Sequence, residues 1–411
     1  MSTADAFAVS ADMLRADDAV ARLVAAASPV AGTETLPLLE AVGRVLAEDV
    51  IAGRANPPHD NSAVDGYALR FADLPEGAPG RLPVSRRITA GMAPGAELAA
   101  GSAARIFTGA PTPPGADTVV AQELCSEADG FVHLPPVKKP GANLRRAGED
   151  FAVGTAVLKA GQRLRPQEIG MAAAVGRQSL TLRRRPRVGV FSTGDEILDP
   201  GQPPRDGAIY DVNRFTVMAM IGKLGGEAVD LGILADRRDA VTAALAAAAG
   251  RYDLLLTSGG VSTGDEDHVR SAVESLGSMD FWRVAIRPGR PLACGRVGDT
   301  PLLGLPGNPV ASMVCFMIFA RPLLMHLAGR DDWQLPSRRV AAGFDFKKKP
   351  GRREWLRGWL DGETVQRFPN EGSGILSSMT TATGLIDLPE DLALISAGDP
   401  LRFVPFAELW D

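Results

Sequence analysis

The sequence predicts a multidomain protein of α/β plus β structure, whose core is a doubly wound parallel sheet. Between residues 183 and 330, short apolar runs alternate with helical patterns, as in consecutive β-α-β units. Three of these runs end in turn-forming segments, at 192–196, 258–264 and 306–309. The chain of 411 residues is long enough for about two to four domains.

The regions on either side of the core follow other patterns. Apolar spacing predicts a helix at 12–27 and a second helix at 36–50 with an extended tail. Short runs bounded by Gly and Pro predict strands across 82–146, and a helix begins near Pro166. We therefore predict four domains. They are a helical or mixed N-terminal domain (1–52 with 150–182), an inserted β-rich domain (53–149), the α/β domain (183–335) and a small, barrel-like C-terminal β-domain (336–411).

Composition excludes several classes of protein. Apolar residues make up 45% of the chain and charged residues 23%, which is typical of a globular protein, and the net charge of −5 argues against nucleic-acid binding. The three cysteines are far apart, and the presence of only four histidines argues against a His-based metal site. The first residues lack signal-peptide features, and the longest apolar run, 310–320, is shorter than the about 20 residues that span a bilayer. These observations predict a cytoplasmic protein that binds no membrane.

The segment 251–276 organises the core. An apolar run, a loop containing Gly259, Gly260 and Gly264, and a helical pattern follow each other in this order. Glycines let backbone N–H groups approach a phosphate, and Mg²⁺ binds one or two carboxylates together with phosphate oxygens. Acids at 265–267 fit such a site, but acids also cap helices, so both interpretations stay open.

Acidic residues follow three separate strands of the predicted sheet. Glu196, Asp236 and Asp267 each come after an apolar run. The carboxyl ends of parallel strands meet at one edge, where ligands bind in such sheets. Convergence from separate strands favours a metal site over three independent helix caps.

Basic and turn-forming residues complete the candidate site in the core. Arg283, Arg287 and Arg290 surround a Pro-Gly loop, and an arginine fork binds oxyanions or pairs with nearby acids. The turn at 306–309 opens another helix, with Pro309 in a first-turn position. Neither a Walker A nor a dinucleotide-binding glycine motif is present.

Two further polar regions lie outside the core. Asp60, Asn61, Ser62 and Asp65 form either an Asx-turn cluster, which their spacing favours, or the wall of a site. In the C-terminal part, strand-like runs flank the basic segment 347–353, which predicts a hairpin with a basic tip. The small polar residues at 372–378 precede another apolar stretch.

These segments together resemble the MoeA-type molybdopterin molybdenumtransferases, which include the enzymatic C-terminal part of gephyrin. The resemblance spans nearly the whole chain, and each of its motifs would be weak alone. The motifs are PPHDNSAVDGYA (57–68), RIFTGAPTPPGAD (105–117), STGDEI (192–197), SGGVSTGDEDHV (258–269), AIRPGRP (285–291) and GLPGNPVA (304–311).

The resemblance implies a reaction and an assembly. Molybdate is inserted into the dithiolene of adenylylated molybdopterin, with Mg²⁺ and release of AMP, by an elongated homodimer of four-domain subunits. Other cofactor-biosynthesis proteins and molybdoenzymes are implied as further partners. Two alternatives stay open, namely molybdopterin adenylyltransferase activity, because that family shares the α/β domain, and a non-catalytic scaffold on the same fold.

The resemblance also assigns expected site residues. The expected metal ligands are Glu196, Asp236 and Asp267, which also belong to the catalytic set with Asp60, Thr108, Arg283 and Arg287. The three arginines at 283, 287 and 290 fall where the family typically has lysines. The expected substrate-binding residues are Ser258, Gly259, Gly260, Ser262, Gly264, Arg290, Pro306, Asn308, Arg357, Ser373 and Ser378.

Overall fold

The computed structural model describes residues 13–259, 268–289 and 291–410. The chain forms two compact units. The first comprises Met1–Thr35, Gly43–Ala47 and Thr181–Asp411, and the second comprises Leu36–Val42 and Glu48–Leu180. The predicted division into four domains is finer than these units, and its boundaries stay a prediction.

A six-stranded sheet forms the core of the first unit. Four neighbouring strands are parallel, in the order β2-β1-β3-β6, and the antiparallel strand β5 and then β4 complete the sheet. The strands are β1 (Arg187–Thr193), β2 (Glu227–Leu234), β3 (Leu254–Ser258), β4 (Gly277–Arg283), β5 (Pro291–Val297) and β6 (Thr300–Leu305). The doubly wound core is confirmed, with a hairpin added at one edge.

Helices cover both faces of this sheet. They are α1 (Asn213–Lys223), α2 (Arg238–Ala248), α3 (His268–Leu276), α4 (Pro309–Cys315) and α5 (Arg321–Leu327), with a π-helical turn, Phe316–Ala320, between the last two. Residues of α1 and α4 pack with Val190 and Leu256 on one face. Residues of α2 and α3 pack with Phe191 and Leu255 on the other face. This alternation follows from the period of two along a strand.

The helical segment Pro309–Leu327 is long and apolar enough to cross a bilayer by length and composition. However, 89% of an 18-residue stretch of this segment is buried inside the protein, among the residues of the core. The segment is therefore the central core helix of the first unit.

The order of the strands creates a crevice at the carboxyl edge of the core sheet. The chain passes from β1 to β2 on one side and then returns to place β3 on the other side of β1. Such a reversal is the topological switch point at which doubly wound sheets bind ligands. It lies beside the ends of β1 and β3.

The C-terminal part closes into a small barrel. Its strands pair in the order Arg353–Asp361, Thr364–Arg367, Arg338–Ala342, Pro400–Pro405 and Gly384–Leu388, and the last pairs with the first. The barrel is confirmed, but the predicted hairpin with a basic tip is wrong, because Thr364–Arg367 lies between its two strands. Lys348 is buried, and its ammonium group donates to the carbonyl oxygens of Arg352 and Glu390.

The second unit contains a six-stranded sheet. Its strands have the order Thr118–Ala121, Gly66–Leu69, Ala103–Ile106, Gly80–Ile88, Phe131–Leu134 and Ser126–Ala128. This arrangement agrees with the predicted strands across 82–146. The predicted helix over 36–50 is wrong. That segment contains a 3₁₀ turn, Leu38–Ala41, and the strand Val50–Ile51, and Gly43 with a φ of +76° does not suit a helix.

The remaining elements are short. The N-terminal helix is Ala16–Ala25, and Pro166–Ala174 and Ser377–Thr381 are helical. Further 3₁₀ turns are Phe71–Asp73, Gln122–Leu124 and Phe406–Trp410. Further strands are Thr33–Pro37, Asn61–Ser62, Leu144–Arg145, Ala156–Leu158, Ser179–Arg183, Ile197–Leu198, Ile209–Tyr210, Ile286–Arg287, Phe346–Lys347 and Leu394–Ile395.

Candidate ligand site at the carboxyl edge of the core sheet

A hydrogen-bond network connects the ends of two core strands with the start of α1. The Asn213 amide donates from Nδ2 to Ser258 Oγ at 2.7 Å and to the Gly307 carbonyl oxygen at 2.6 Å. Ser258 Oγ donates to the Pro306 carbonyl oxygen at 3.2 Å. Asn213 is the first residue of α1, and its side chain bonds across the sheet edge instead of capping the helix.

Several polar atoms near this network are buried and have no hydrogen-bond partner within the described part of the chain. They are Ser192 Oγ, Thr193 Oγ1, Asn213 Oδ1, Thr257 Oγ1 and Ser312 Oγ. Ser192 pairs in register with Ser258, so their side chains share the face against which α1 packs. A buried polar atom without a partner costs about 1–3 kcal/mol. This cost makes the edge a place where a polar ligand would be stabilising.

Two of the three expected metal ligands lie at this edge. Glu196 follows β1 and Asp236 follows β2, and these parallel neighbours are in register up to Thr193 and Leu234. Within residues 13–259, 268–289 and 291–410, neither carboxylate has an ion pair or a side-chain hydrogen bond. The third expected ligand, Asp267, lies outside the described residues.

The Glu196 carboxylate folds back over the chain. A Cβ atom placed on Gly194 would lie 2.6 Å from Glu196 Oε2, and the φ of +138° at Gly194 favours glycine at this position. No three His, Cys, Asp or Glu side chains in the described ranges form a group that could hold a metal ion. Two carboxylates nevertheless fit Mg²⁺, because it commonly binds one or two carboxylates and takes its other ligands from phosphate and water.

A buried arginine fixes the elements that carry these two acids. The Arg214 guanidinium on α1 contacts Asp199 beyond Glu196, Asp211 at 3.0 Å and Asp230 on β2 at 2.6 Å. Burial alone would lower the pKa of Arg214, but its three carboxylate partners outweigh burial and raise it. A backbone hydrogen bond also links the two ends of the loop that carries Glu196, because the Ile209 N–H donates to the Glu196 carbonyl oxygen at 2.8 Å. Asp211 and Arg214 are three residues apart, a spacing that could have indicated their pairing, whereas Asp199 and Asp230 join Arg214 only in the folded chain.

Two other loops meet the helix that follows β6. The Val310 N–H in α4 donates to the Ser373 carbonyl oxygen at 3.0 Å, which places the small polar segment 372–378 at the start of this helix. Gly289 packs closely against the same helix from another loop. A Cβ atom at Gly289 would be 2.3 Å from Cys315 Sγ and 3.3 Å from the Pro306 ring. Complete burial raises the pKa of Cys315 to about 12, which makes its thiol an inert packing group.

The arginines of these loops have well-defined partners. Arg287 pairs with Glu371 at 2.7 Å and with Glu354 at 3.4 Å, as the ion-pairing interpretation predicted. Arg357 is buried and donates to Ser378 Oγ and to the carbonyl oxygens of residues 370–372. Burial, with a contribution from nearby Arg287, lowers the pKa of Arg357. Arg357 and Ser378 therefore hold the 370–378 loop in place.

Other expected site residues have local roles or lie outside the described residues. Arg283 ends β4 and is exposed, and its carbonyl oxygen accepts the Leu14 N–H at 2.9 Å. The Gly259 N–H donates to the Leu305 carbonyl oxygen at 3.1 Å, so this amide does not bind a phosphate in the observed conformation. Asn308 precedes α4 without a side-chain cap. The residues outside the described ranges are Gly260, Ser262, Gly264, Asp267 and Arg290.

Asp60 and Thr108, the expected site residues of the second unit, form hydrogen bonds with other loops of that unit. Asp60 accepts a 2.8 Å bond from the Ala147 N–H and pairs with Arg146. Burial opposes ionisation of Asp60, but these two donors lower its pKa. Asp65 accepts bonds from the backbone N–H and the hydroxyl of Thr108, and both lower its pKa. Asp60 and Asp65 therefore hold loops that are distant in sequence, and the local Asx turns that their spacing favoured are not found for these two residues.

The first unit thus contains a doubly wound α/β sheet, and several buried polar atoms without a partner in the described residues lie at the switch point of that sheet. Known families match this architecture along the chain. The "MoeA N-terminal region (domain I and II)" matches residues 14–176, the "Probable molybdopterin binding domain" matches 189–326, and the "MoeA C-terminal region (domain IV)" matches 339–406. The chain belongs to the MoeA family.

Individual relatives agree with this assignment. A Haemophilus influenzae protein named molybdopterin molybdenumtransferase is 38% identical over 97% of this chain and 100% of its own length. Molybdopterin molybdenumtransferase 2 of Mycobacterium tuberculosis is 37% identical over 95% of this chain and 97% of its own length. The crystal structure of the molybdopterin biosynthesis MoeA protein from Pyrococcus horikoshii matches with a TM-score of 0.85 and 28% identity, covering 96% of this chain and 100% of that one.

Proposed function

We propose that this transferase of molybdenum cofactor biosynthesis inserts molybdate into adenylylated molybdopterin and releases AMP in a Mg²⁺-dependent reaction. The names of the relatives support the substrate class. The observation that carries the proposal is the pair of carboxylates at Glu196 and Asp236, without ion-pair partners in the described ranges, beside buried polar atoms at the switch point.

The metal would be held by Glu196 and Asp236, with Asp267 as the third expected ligand. When bound, Mg²⁺ would neutralise charge on the phosphoanhydride oxygens of the substrate. Carboxylates alone would repel a diphosphate. A cation bound between these acids and the substrate would remove this repulsion.

The reaction requires no nucleophilic side chain. A water molecule attacks the AMP phosphorus and passes a proton to solvent, the bond to the oxygen of the pterin phosphate breaks with the electron pair on that oxygen, and AMP leaves. A molybdate oxygen that attacks instead gives adenylyl molybdate, from which AMP leaves when a dithiolene sulfur takes its place on molybdenum. The role of the protein is then to position the substrate. Arg287 is half-exposed and sits beside the loop at α4, where it could exchange a carboxylate partner for an oxyanion.

The assembly and location are also proposals. We expect a homodimer in the cytoplasm, with adenylylated molybdopterin and molybdate as substrates and with other biosynthesis proteins or molybdoenzymes as further partners. The roles of Asp60 and Thr108 in the reaction also belong to this proposal, and they are supported by the resemblance of segments 57–68 and 105–117 to the motifs of the family.

The test measures AMP released from adenylylated molybdopterin with molybdate and Mg²⁺ each supplied or withheld. We expect release that needs both. Asp267→Ala should reduce turnover about 100-fold or more with a nearly unchanged melting temperature, the scale of a lost transition-state contact. AMP release that continues with EDTA would contradict the Mg²⁺ proposal. Synthesis of adenylylated molybdopterin from ATP would instead support an adenylyltransferase, and no turnover in either assay would support a scaffold.

A further inference from the structure

We infer that Asn213 reads a nitrogen-bearing heterocycle of the substrate by accepting a hydrogen bond from its amino group. This inference rests on the proposed function, because that function supplies the substrate. It goes beyond the expected site residues, among which Asn213 does not appear. A phosphate at neutral pH has only acceptor oxygens and cannot donate to Asn213 Oδ1. The contact therefore selects the heterocycle end of the substrate and orients it.

The neighbours of Asn213 fix which way its amide points. The Gly307 carbonyl oxygen can only accept, so the amide group 2.6 Å from it must be Nδ2. The second contact agrees, because Ser258 Oγ uses its hydrogen on the Pro306 carbonyl oxygen and therefore accepts from Asn213. A flipped amide would place two acceptors against each other.

This orientation leaves Oδ1 as a fixed acceptor. Asn213 Oδ1 is buried and has no partner among residues 13–259, 268–289 and 291–410. Because the two bonds from Nδ2 lock the group, it cannot rotate to find another donor without losing both. A bound N–H or NH₂ group would remove the cost of this unpartnered oxygen.

The position of Asn213 suits substrate recognition rather than packing. Its amide bridges the end of β3 and the turn after β6, next to the switch point of the sheet. Ser192 Oγ, on the same face through its register with Ser258, is likewise buried without a partner in the described ranges. Two unpartnered polar atoms on one face at the ligand-binding edge favour a common ligand with directed polar groups.

The substrate offers two heterocycles with this chemistry, a pterin and an adenine. Two pairs of ligands can show which of the two heterocycles Asn213 binds. The first pair is AMP and purine riboside 5′-monophosphate, which lacks the amino group. The second pair is 6-hydroxymethylpterin and 6-hydroxymethyllumazine, which has an oxygen in place of the 2-amino group.

The experiment measures equilibrium binding of all four ligands to the full chain, as wild type and as Asn213→Ala. We expect the wild type to bind the amino-bearing member of one pair about tenfold more tightly, the scale of one hydrogen bond. We expect this preference to vanish in Asn213→Ala. A preference within the first pair identifies adenine, and a preference within the second identifies the pterin.

A merely structural role of Asn213 would give a different result. Loss of the bonds to Ser258 and Gly307 would weaken both members of a pair equally and leave their ratio unchanged. Asn56→Ala, in the second unit, removes an amide that donates to Asp150 and serves as the control that should keep every ratio. The wild-type ratios test the inference even where Asn213→Ala fails to fold.

Ratios near one in the wild type for both pairs, or no measurable binding of either pair, would overturn the inference. The AMP-release assay separates this failure from failure of the proposed function. Ratios near one with Mg²⁺-dependent AMP release would remove Asn213 as a reader and leave the function standing. A tenfold ratio without AMP release would keep the recognition of the heterocycle and contradict the reaction.

Discussion

Two groups of acids close to each other in the sequence have opposite surroundings. Asp199, Asp211 and Asp230 surround the buried guanidinium of Arg214, and each contacts it directly. Glu196 and Asp236, a few residues away along the same loop and strand, have no such cation partner within the described residues. Both groups are carboxylates, so residue type does not distinguish them.

The difference teaches that the surroundings of an acid decide its role. A carboxylate bonded to a buried arginine is already neutralised and fixes local structure. A carboxylate without a cation partner at a ligand-binding edge is available to a metal ion. The first group should therefore matter mainly for stability, and the second mainly for turnover.

The largest expected effect tests the structural group. Arg214→Met would leave Asp211, which is itself buried, without its cation. Breaking a buried pair in this way costs about 3–5 kcal/mol. We expect the free energy of unfolding, measured by urea denaturation, to fall by that amount.

Arg187→Gln is the matched control for this variant. Arg187 pairs with Glu227 at the other end of the same two strands, but both side chains are about half exposed. An exposed pair contributes about 0–1 kcal/mol. Equal losses in the two variants would remove the distinction between the buried cluster and ordinary surface pairs.

A smaller effect is expected where a buried arginine contacts only neutral groups. Arg357→Met would remove donors to Ser378 Oγ and to the carbonyl oxygens of Asn370 and Gly372. Carbonyl groups left without partners cost less than a buried charge, so we expect a loss of about 1–3 kcal/mol in unfolding free energy. A loss as large as that of Arg214→Met would show that charge pairing is not what distinguishes the Arg214 cluster.

The smallest effect concerns the paired acid of the second unit. The lowered pKa of Asp60 means that its ionised form stabilises the folded state at pH values above its unfolded pKa of about 3.9. This stabilisation is lost as the pH falls through the lower, folded pKa. Asp60→Asn should therefore lower the melting temperature slightly at pH 7 and flatten its decline below about pH 4. If the melting temperature of Asp60→Asn declines below about pH 4 as that of the wild type does, the contacts of Asp60 with Arg146 and Ala147 do not stabilise the folded unit.

Regular elements of the core could be predicted from the sequence because each has a strong local pattern. The apolar runs at 254–258 and 302–305 lie between turn-forming segments, and Pro166 and Pro309 mark the first turns of their helices. The edge that carries Glu196 and Asp236 followed from strand order alone. The predicted helix over 36–50 failed because apolar spacing outweighed the turn signal of Gly43.

The partners of charged groups could not be predicted in the same way. Arg214 lies 16 residues from Asp230, and Arg357 lies 21 residues from Ser378, and neither separation matches a local motif. The sequence predicted Lys348 at the exposed tip of a hairpin, whereas the residue is buried. The prediction failed because Thr364–Arg367 lies between the two predicted hairpin strands, an arrangement that depends on closure of the barrel. The side-chain partners of Asn213 come from β3 and the turn after β6, which no local pattern indicates.

The most direct test of the central claim compares Asp236→Asn with Asp239→Asn. Asp239 is a well-exposed acid three residues further along the chain, and it serves as the matched control. AMP release and melting temperature would be measured for both variants over a range of Mg²⁺ concentrations, with Mn²⁺ binding followed by electron paramagnetic resonance. We predict that Asp236→Asn loses turnover about 100-fold and binds Mn²⁺ more weakly at an unchanged melting temperature, while Asp239→Asn behaves as the wild type. Full turnover and Mn²⁺ binding in Asp236→Asn would contradict a metal site at this edge of the sheet.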